Sequence, residues 1–360
     1  MSKKILKKTG GVFGINEVRD DVRTLGYDVK GLHEIVDTQS NRLAEMVEES
    51  QKQIRELEVE VRYLRKQSSL QYESLANIAG GTGDVQERFY KTIAPARGEM
   101  RVFQLGCAKL MKKLATICHE QGLSLWLHSG TLLGAVRNQG FIPWDDDTDT
   151  AMLRDDIKKL RQILKNDPDY QVALNYDYYC KCRQLRFRSR DPENPCFVDI
   201  FINDYSEETD IEKERVAWLR AKKEITEKFE SDSSPAVRAW REKGVIGEYE
   251  KYGSEIGKLF EEYFPEPATP KNHKSASIVW GLDNMEVPGP RLFSWNTIFP
   301  TTTLRFEGVN YPVPHDYEAF LKRLYGDFYE IPEDLVSHFQ HVDREAWNIA
   351  AIESFLKNKK

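Results

Sequence analysis

Four aspartates fall within five residues, at Asp145, Asp146, Asp147 and Asp149, directly after the apolar run Phe141-Ile142-Pro143-Trp144. Carboxylates crowded beside apolar surface repel one another and lose hydration, so the stretch needs a cation, and a divalent metal on oxygen ligands is the simplest one. Asp147 and Asp149 are two residues apart, which in an extended strand puts both carboxylates on one face. A third acid, Asp199, interrupts the otherwise apolar run from Phe197 to Ile202, where a carboxylate wants a metal, a partner or a proton. Two same-face carboxylates can share a hard divalent ion such as Mg2+ or Mn2+ on oxygen ligands.

Rival readings fit less well. An EF-hand loop beginning at Asp145 wants glycine at its sixth position and glutamate at its twelfth, where this chain has Thr150 and Asp156. The Asp145–Asp149 string also matches a DDxxD motif formally, but that motif is helical, and Pro143 with Thr148 and Thr150 argues against a helix. A solvated acidic turn is the bland alternative. Cys180, Cys182 and Cys196 offer a zinc reading, against which Cys180-Lys181-Cys182 reads more naturally as alternation along a strand.

The elements that must hold these acids can be read from their neighbours. Leu123 to Leu127 is a short buried strand, and Ser129-Gly130-Thr131 is a small turn opening a helix that runs to Arg137. Backbone amides at such a turn suit a phosphate, and Arg137 can add a charge-assisted contact. Val102 to Glu120 and Asp155 to Leu164 read as amphipathic helices, the second stopped at Asn166-Asp167-Pro168. Tyr170 to Phe187 alternates as two strands with Asn175-Tyr176-Asp177 as the expected turn. Arg183, Arg186, Arg188 and Arg190 there are either a solvated sheet face or a phosphate-binding row.

The string GTLLGAVRNQGFIPWDDDTD, from Gly130 to Asp149, resembles the signature of the LicD family of phosphotransferases, whose eukaryotic relatives include the fukutin-type proteins. Phe197-Val198-Asp199-Ile200-Phe201 is similar to that family's later VDIF element, and Phe306-Glu307-Gly308 and Tyr325-Gly326-Asp327 extend the likeness over roughly residues 100 to 335. Thr148 and Thr150 depart from it, standing where isoleucines are usual. The resemblance implies an α+β fold, a nucleotidyltransferase-like mixed sheet with flanking helices. It implies an enzyme that moves a phosphorylated alcohol, first of all phosphocholine, from a CDP-activated donor to a hydroxyl of a cell-surface glycan, such as lipopolysaccharide or teichoic acid, releasing CMP. CDP-glycerol, CDP-ribitol, a nucleotidyltransferase and a silent coiled-coil scaffold are the alternatives. On the family pattern Asp147, Asp149 and Asp199 are the metal ligands and catalytic acids. Ser129, Gly130, Thr131 and Arg137 are expected to bind substrate, and Asp145 and Asp146 to stand behind the ligands.

The remaining expectations concern organisation. Apolar residues at alternating three and four spacings run Ile15, Val18, Val22, Leu25, Val29, Leu32, Val36, Leu43 and Met46, then Val47, Ile54, Leu57, Val61, Leu64 and Leu75 after a four-residue stutter. Residues 1–78 are therefore expected to form a homo-oligomeric coiled coil, residues 79–84, rich in glycine, a linker, and residues 85–360 the catalytic domain. A Lys/Glu-rich helical insertion spans about 205–265 and is expected on the acceptor side of the cleft. With 52 Lys and Arg against 58 Asp and Glu, the net charge of -6 gives no basic footprint for nucleic acid. Five cysteines, an odd number, and the want of a long apolar run or a signal-like N-terminus point to the cytoplasm. A peripheral contact with the inner membrane face is left to the C-terminal Trp347, Ile349, Ile352, Phe355 and Leu356, for which packing on the catalytic domain is the favoured role.

Overall fold

The computed structural model describes residues 36–64, 66–68, 71, 82–265, 267, 274, 276–284, 292–330 and 347–358. The chain divides into two compact units, Met1–Gly81 and Thr82–Lys360. In the first, residues 36–64 form a helix, α1, all of whose side chains are exposed. The later half of the heptad seam, including Leu43, Ile54, Leu57 and Leu64, thus faces outward along it. The earlier half lies outside the described residues.

The second unit begins with helix α2 (Thr82–Thr92), so residues 82–84 of the expected linker are helical, and continues with α3 (Gly98–Gln121). Next come β1 (Trp126–Leu127), α4 (Ser129–Arg137), β2 (Asp149–Leu153) and α5 (Arg154–Ile163). Strands β3 (Tyr170–Asp177), β4 (Cys182–Ser189) and β5 (Phe197–Ser206) follow. The β3–β4 turn is therefore at residues 178–181, not at Asn175-Tyr176-Asp177. Alternation alone does not mark where a hairpin turns; here Lys181 takes a left-handed φ of 47° and the Asp177 carboxylate accepts from the Cys180 amide.

Strand order is β1-β2-β5-β4-β3-β6, with β6 (Val245–Gly247) at the β3 edge, and β7 (Ser277–Trp280) pairing with the far end of β5 and with β8 (Leu292–Ser294). The β2–β5 pair is parallel and the others are antiparallel, a mixed sheet. One face carries Val172, Leu174, Tyr176, Leu185, Phe187, Val198, Ile200 and Ile202, all buried. The other carries Asp149, Asp199, Arg186 and Arg188, by strand alternation and by the register Asp149↔Asp199 and Arg186↔Asp199.

The insertion consists of α6 (Ile211–Ser231), α7 (Pro235–Lys243), β6 and α8 (Gly253–Tyr263). It packs on the apolar face. Phe229, Trp240 and Phe260 form an aromatic cluster that reaches Tyr176, and the Trp240 indole donates to the Tyr176 carbonyl at 2.8 Å. The insertion therefore builds the core behind the acids and does not line an acceptor cleft beside them, because its apolar stripes match the face that needs covering.

The far end of the polar face is covered by α9 (Trp295–Ile298), the hairpin of β9 (Thr302–Phe306) and β10 (Val309–Val313), and α10 (Tyr317–Tyr325). Phe201, Trp280 and Phe320 all ring His128 there. Helix α11 (Ile349–Lys357) docks on α3: Ile352 is fully buried against Gly106, and Lys109 donates to the Phe355 carbonyl and lies over its ring. Much of the apolar side of α11 is thus used inside the domain. No helix among the described residues is long and apolar enough to cross a membrane.

Candidate active site

Asp149 opens β2 and its parallel partner Asp199 lies in register on β5. Two threonine hydroxyls secure that register: Thr148 donates to the Phe197 carbonyl at 2.9 Å and Thr150 to the Asp199 carbonyl at 2.8 Å, while the Asp199 amide donates to the Thr148 carbonyl at 2.8 Å. Where isoleucine would only fill space, threonine satisfies backbone acceptors between the two acid-bearing strands. Asp147 is carried on the loop just before β2. The result is that one carboxylate oxygen from each of Asp147, Asp149 and Asp199 lies within 4.8 Å of the others.

The preceding loop is held from outside. Gln104 of α3 donates to the carbonyls of Ile142 (3.3 Å) and Asp145 (2.9 Å). Glu307, at the β9–β10 turn, accepts from the Phe141 amide at 3.2 Å and is itself held by a two-pronged contact from Arg101 at 2.7 and 2.9 Å. Gly140 is required beneath it, since a Cβ there would meet Glu307 Oε1 at 2.6 Å. These side chains lack any tell-tale spacing. Only the Phe306-Glu307-Gly308 string hinted at one of them.

Helix α4 starts against the acids. The Gly130 amide donates to Asp149 Oδ2 at 2.9 Å, and the Asp149 amide donates to Thr131 Oγ1 at 2.7 Å. A side chain at Gly130 has no room, because a Cβ would stand 2.9 Å from Asp145 Oδ2 and 3.4 Å from Asp149 Oδ2. The Gly130 amide, expected to meet a phosphate, is thus spent on the carboxylate that opens β2, and Thr131 serves as a buried lock on it. Ser129 takes a left-handed φ of 40° and hydrogen-bonds His128 Nδ1 at 2.8 Å. It also bonds the Tyr325 hydroxyl.

Arg137 lies elsewhere. It sits at the opposite end of α4, roughly 12 Å along the axis from Ser129. Its guanidinium is buried, bonds the Phe328 and Glu330 carbonyls and stacks over Tyr90 at 4.1 Å. Its expected phosphate contact is replaced by a bolt between α4, α2 and the chain after α10.

Electrostatically the acids are poorly compensated. Burial pushes the Asp145 and Asp149 carboxyls well above their ordinary values; Asp147 and Asp149 add to this for Asp145, and Asp147 and Asp199 for Asp149. Hydrogen bonds from the Gly130 and Thr131 backbone pull Asp149 back only in part. Asp146 is also buried. Arg186 reaches Asp199 Oδ1 at 3.0 Å and lies over the Phe197 ring at 4.0 Å. An oxygen-only donor set of this charge fits a hard divalent cation, which would take the place of protons among the carboxylates. Among the described residues the cysteines form no competing site: Cys180 bonds Cys182, while Cys196 lies beside Gly106 and Cys107 in the core.

Residues 122–239 match the family model described as LicD/FKTN/FKRP, nucleotidyltransferase domain. A lipopolysaccharide cholinephosphotransferase LicD of Haemophilus influenzae is 31% identical over 117 residues, covering 29% of this chain and 44% of that protein. Uncharacterized proteins of Rickettsia prowazekii and Rickettsia typhi are 38% and 36% identical over 105 and 104 residues, each covering 28% of this chain and 40% and 34% of the relative. The chain thus spans less than half the length of these relatives. The matched region holds β1, α4, the acidic loop and the paired strands β2 and β5, so the likeness to the LicD family lies in the elements that bring the three carboxylates together.

Proposed function

We propose that the protein is a metal-dependent phosphotransferase that moves a phosphorylated alcohol from a CDP-activated donor to a hydroxyl of a glycan acceptor, releasing CMP. The observation that carries this reading is the convergence of Asp147, Asp149 and Asp199 within 4.8 Å on the polar face of the sheet. These three carboxylates would hold Mg2+ or Mn2+, which would supply charge neutralisation and alignment of the donor's diphosphate. Asp145 and Asp146 stand behind them. Asp199, on its own strand and already engaged by Arg186, accepts the proton of the acceptor hydroxyl. The new bond joins that hydroxyl oxygen to the donor's distal phosphorus. The anhydride bond to the nucleotide phosphate breaks, and CMP leaves with the electron pair.

Phosphocholine is the first candidate for the transferred group, supported by the name of the Haemophilus relative; phosphorylated glycerol or ribitol are the others. Residues 1–78 serve as the self-association segment. The test is incubation of the protein and Mg2+ with CDP-choline, CDP-glycerol and CDP-ribitol, following CMP release and thermal unfolding. One donor is expected to give EDTA-sensitive CMP release once a glycan acceptor is supplied, and a metal-dependent rise in melting temperature without one. No shift with any of the three would sink the reading.

A further inference from the structure

Arg183, Arg186, Arg188 and Arg190 follow one another along β4 and just beyond it. Three of them have clear employment. Arg183 points to the helix-covered face and pairs with Asp283 at 2.5 Å. Arg190 donates to the carbonyls of Asp167 (2.6 Å), Tyr170 (3.1 Å) and Leu164 (3.1 Å), closing the entry to β3. Arg186 holds Asp199.

Arg188 is different. Its Nε is buried and has no hydrogen-bond partner among the described residues. It is two residues from Arg186, so it stands on the same face of the sheet as Arg186 and Asp199. Burial and the neighbouring Arg186 charge both pull its pKa down, so Arg188 carries its charge under strain while Arg186 is held by Asp199. An anion with several oxygens relieves that strain, and a planar guanidinium fork matches phosphate oxygens well.

We infer that Arg188, with Arg186 beside it, forms the arm that binds the donor's diphosphate at the edge of the carboxylate cluster. This rests on the phosphotransferase reading above for the identity of the anion. A diphosphate brought to three carboxylates and a single divalent cation leaves a large negative excess, and the two guanidiniums offset it from the β4 side. Arg186 has a second consequence. It competes with a cation for Asp199, so it opposes metal binding while favouring phosphate binding.

The experiment measures, by calorimetry, the binding of CDP and of inorganic pyrophosphate in the presence of Mn2+, and the binding of Mn2+ alone by electron paramagnetic resonance. Arg188→Gln should weaken both phosphate probes about ten- to hundredfold and leave Mn2+ affinity within about twofold, with Arg188→Lys in between. Arg186→Gln should weaken the phosphate probes yet tighten Mn2+. Arg188→Gln that binds both probes as tightly as the wild type overturns the arm and leaves the donor reading standing. A wild type that binds pyrophosphate through Arg188 but shows no preference for CDP over it overturns the nucleotide donor and leaves the arm standing. A wild type that binds neither probe overturns both.

Discussion

Two acidic clusters occupy opposite faces of the same sheet. On the helix-covered face Asp204 and Asp283 meet two guanidiniums: Arg154 bonds Asp204 at 2.6 and 2.7 Å and Asp283 at 2.7 and 2.9 Å, and Arg183 bonds Asp283. On the polar face Asp145, Asp147, Asp149 and Asp199 confront one another, with Arg186 on Asp199. Asp283 is fully buried, which by itself would raise its pKa, yet the charges and hydrogen bonds of Arg183 and Arg154 hold it below the ordinary carboxylate range. Asp149 is nearly as buried and is displaced upward. Burial is thus common to both. The difference is whether the fold supplies the countercharge, and a cluster left short of it is the one prepared for a cation from solution.

The same substitution should therefore act in opposite ways at the two sites. Asp149→Asn and Asp147→Asn should each lower CMP release on the order of a thousandfold, while melting no lower than wild type in EDTA. Asp199→Asn should lose turnover but keep much of its donor affinity. Asp283→Asn removes the buried charge that Arg183 pairs with and leaves Arg154 only Asp204, and should cost roughly 3–5 kcal/mol in denaturant unfolding. Equal destabilisation by Asp149→Asn and Asp283→Asn would erase the distinction.

Next in size is the response to metal. Mn2+ at about a hundred times its dissociation constant should stabilise the wild type by roughly 2.7 kcal/mol and should leave Asp149→Asn unmoved. Folded Asp283→Asn should still respond. Calorimetric melting of the three proteins with and without Mn2+ checks this, and a response from Asp149→Asn equal to wild type would remove the metal site.

The pH dependence should have opposite signs. A carboxyl whose folded pKa is raised costs stability once pH exceeds its unfolded value, near 4, so Asp145→Asn in EDTA should match wild type near pH 3 and gain on it as pH rises. Asp283, whose folded pKa is depressed, contributes stability that is full above about pH 4 and is lost as pH falls toward the folded value. Melting temperatures of each variant against wild type between pH 3 and 7 would show curves diverging in opposite directions. Parallel curves would contradict the electrostatic account.

The smallest effect on both clusters is expected from deleting residues 1–78, because Thr82–Lys360 is a separate compact unit. Light scattering should report a smaller particle and calorimetry an unchanged melting temperature for the remainder. An unchanged oligomeric state would place self-association outside residues 1–78.

What the sequence shows of this site depends on distance along the chain. Asp147 and Asp149 are legible because they are two residues apart, and Asp199 because a carboxylate is conspicuous in an apolar strand. The helix starting at Ser129 is legible from its turn residues. Arg137 misleads because a helix position says on which face a side chain lies, but not how far from the acids the helix end falls. The insertion misleads because Lys and Glu dominate its composition while a sparse stripe, including Phe229, Trp240 and Phe260, decides where it packs. Gln104 and Arg101 are illegible for a simpler reason: they act across the fold, and Arg101 is separated by 206 residues from Glu307, which only its motif string marks. The Asp283 cluster is hidden likewise, since nothing local joins Arg154 to it.

The register between β2 and β5 also bears on the order in which the molecule is made. About fifty residues separate Asp149 from Asp199, and closing a loop of that length costs roughly 3.5 kcal/mol of chain entropy, which local structure cannot repay. During synthesis the acidic loop emerges long before β5 exists to complete it. Until the hydroxyls of Thr148 and Thr150 find the β5 carbonyls, the chain offers a cation only a hydrated string of aspartates. Tight capture of the proposed metal would therefore be a property of the finished sheet, and a slip of one residue on β5 would send Asp199 to the apolar face and abolish it.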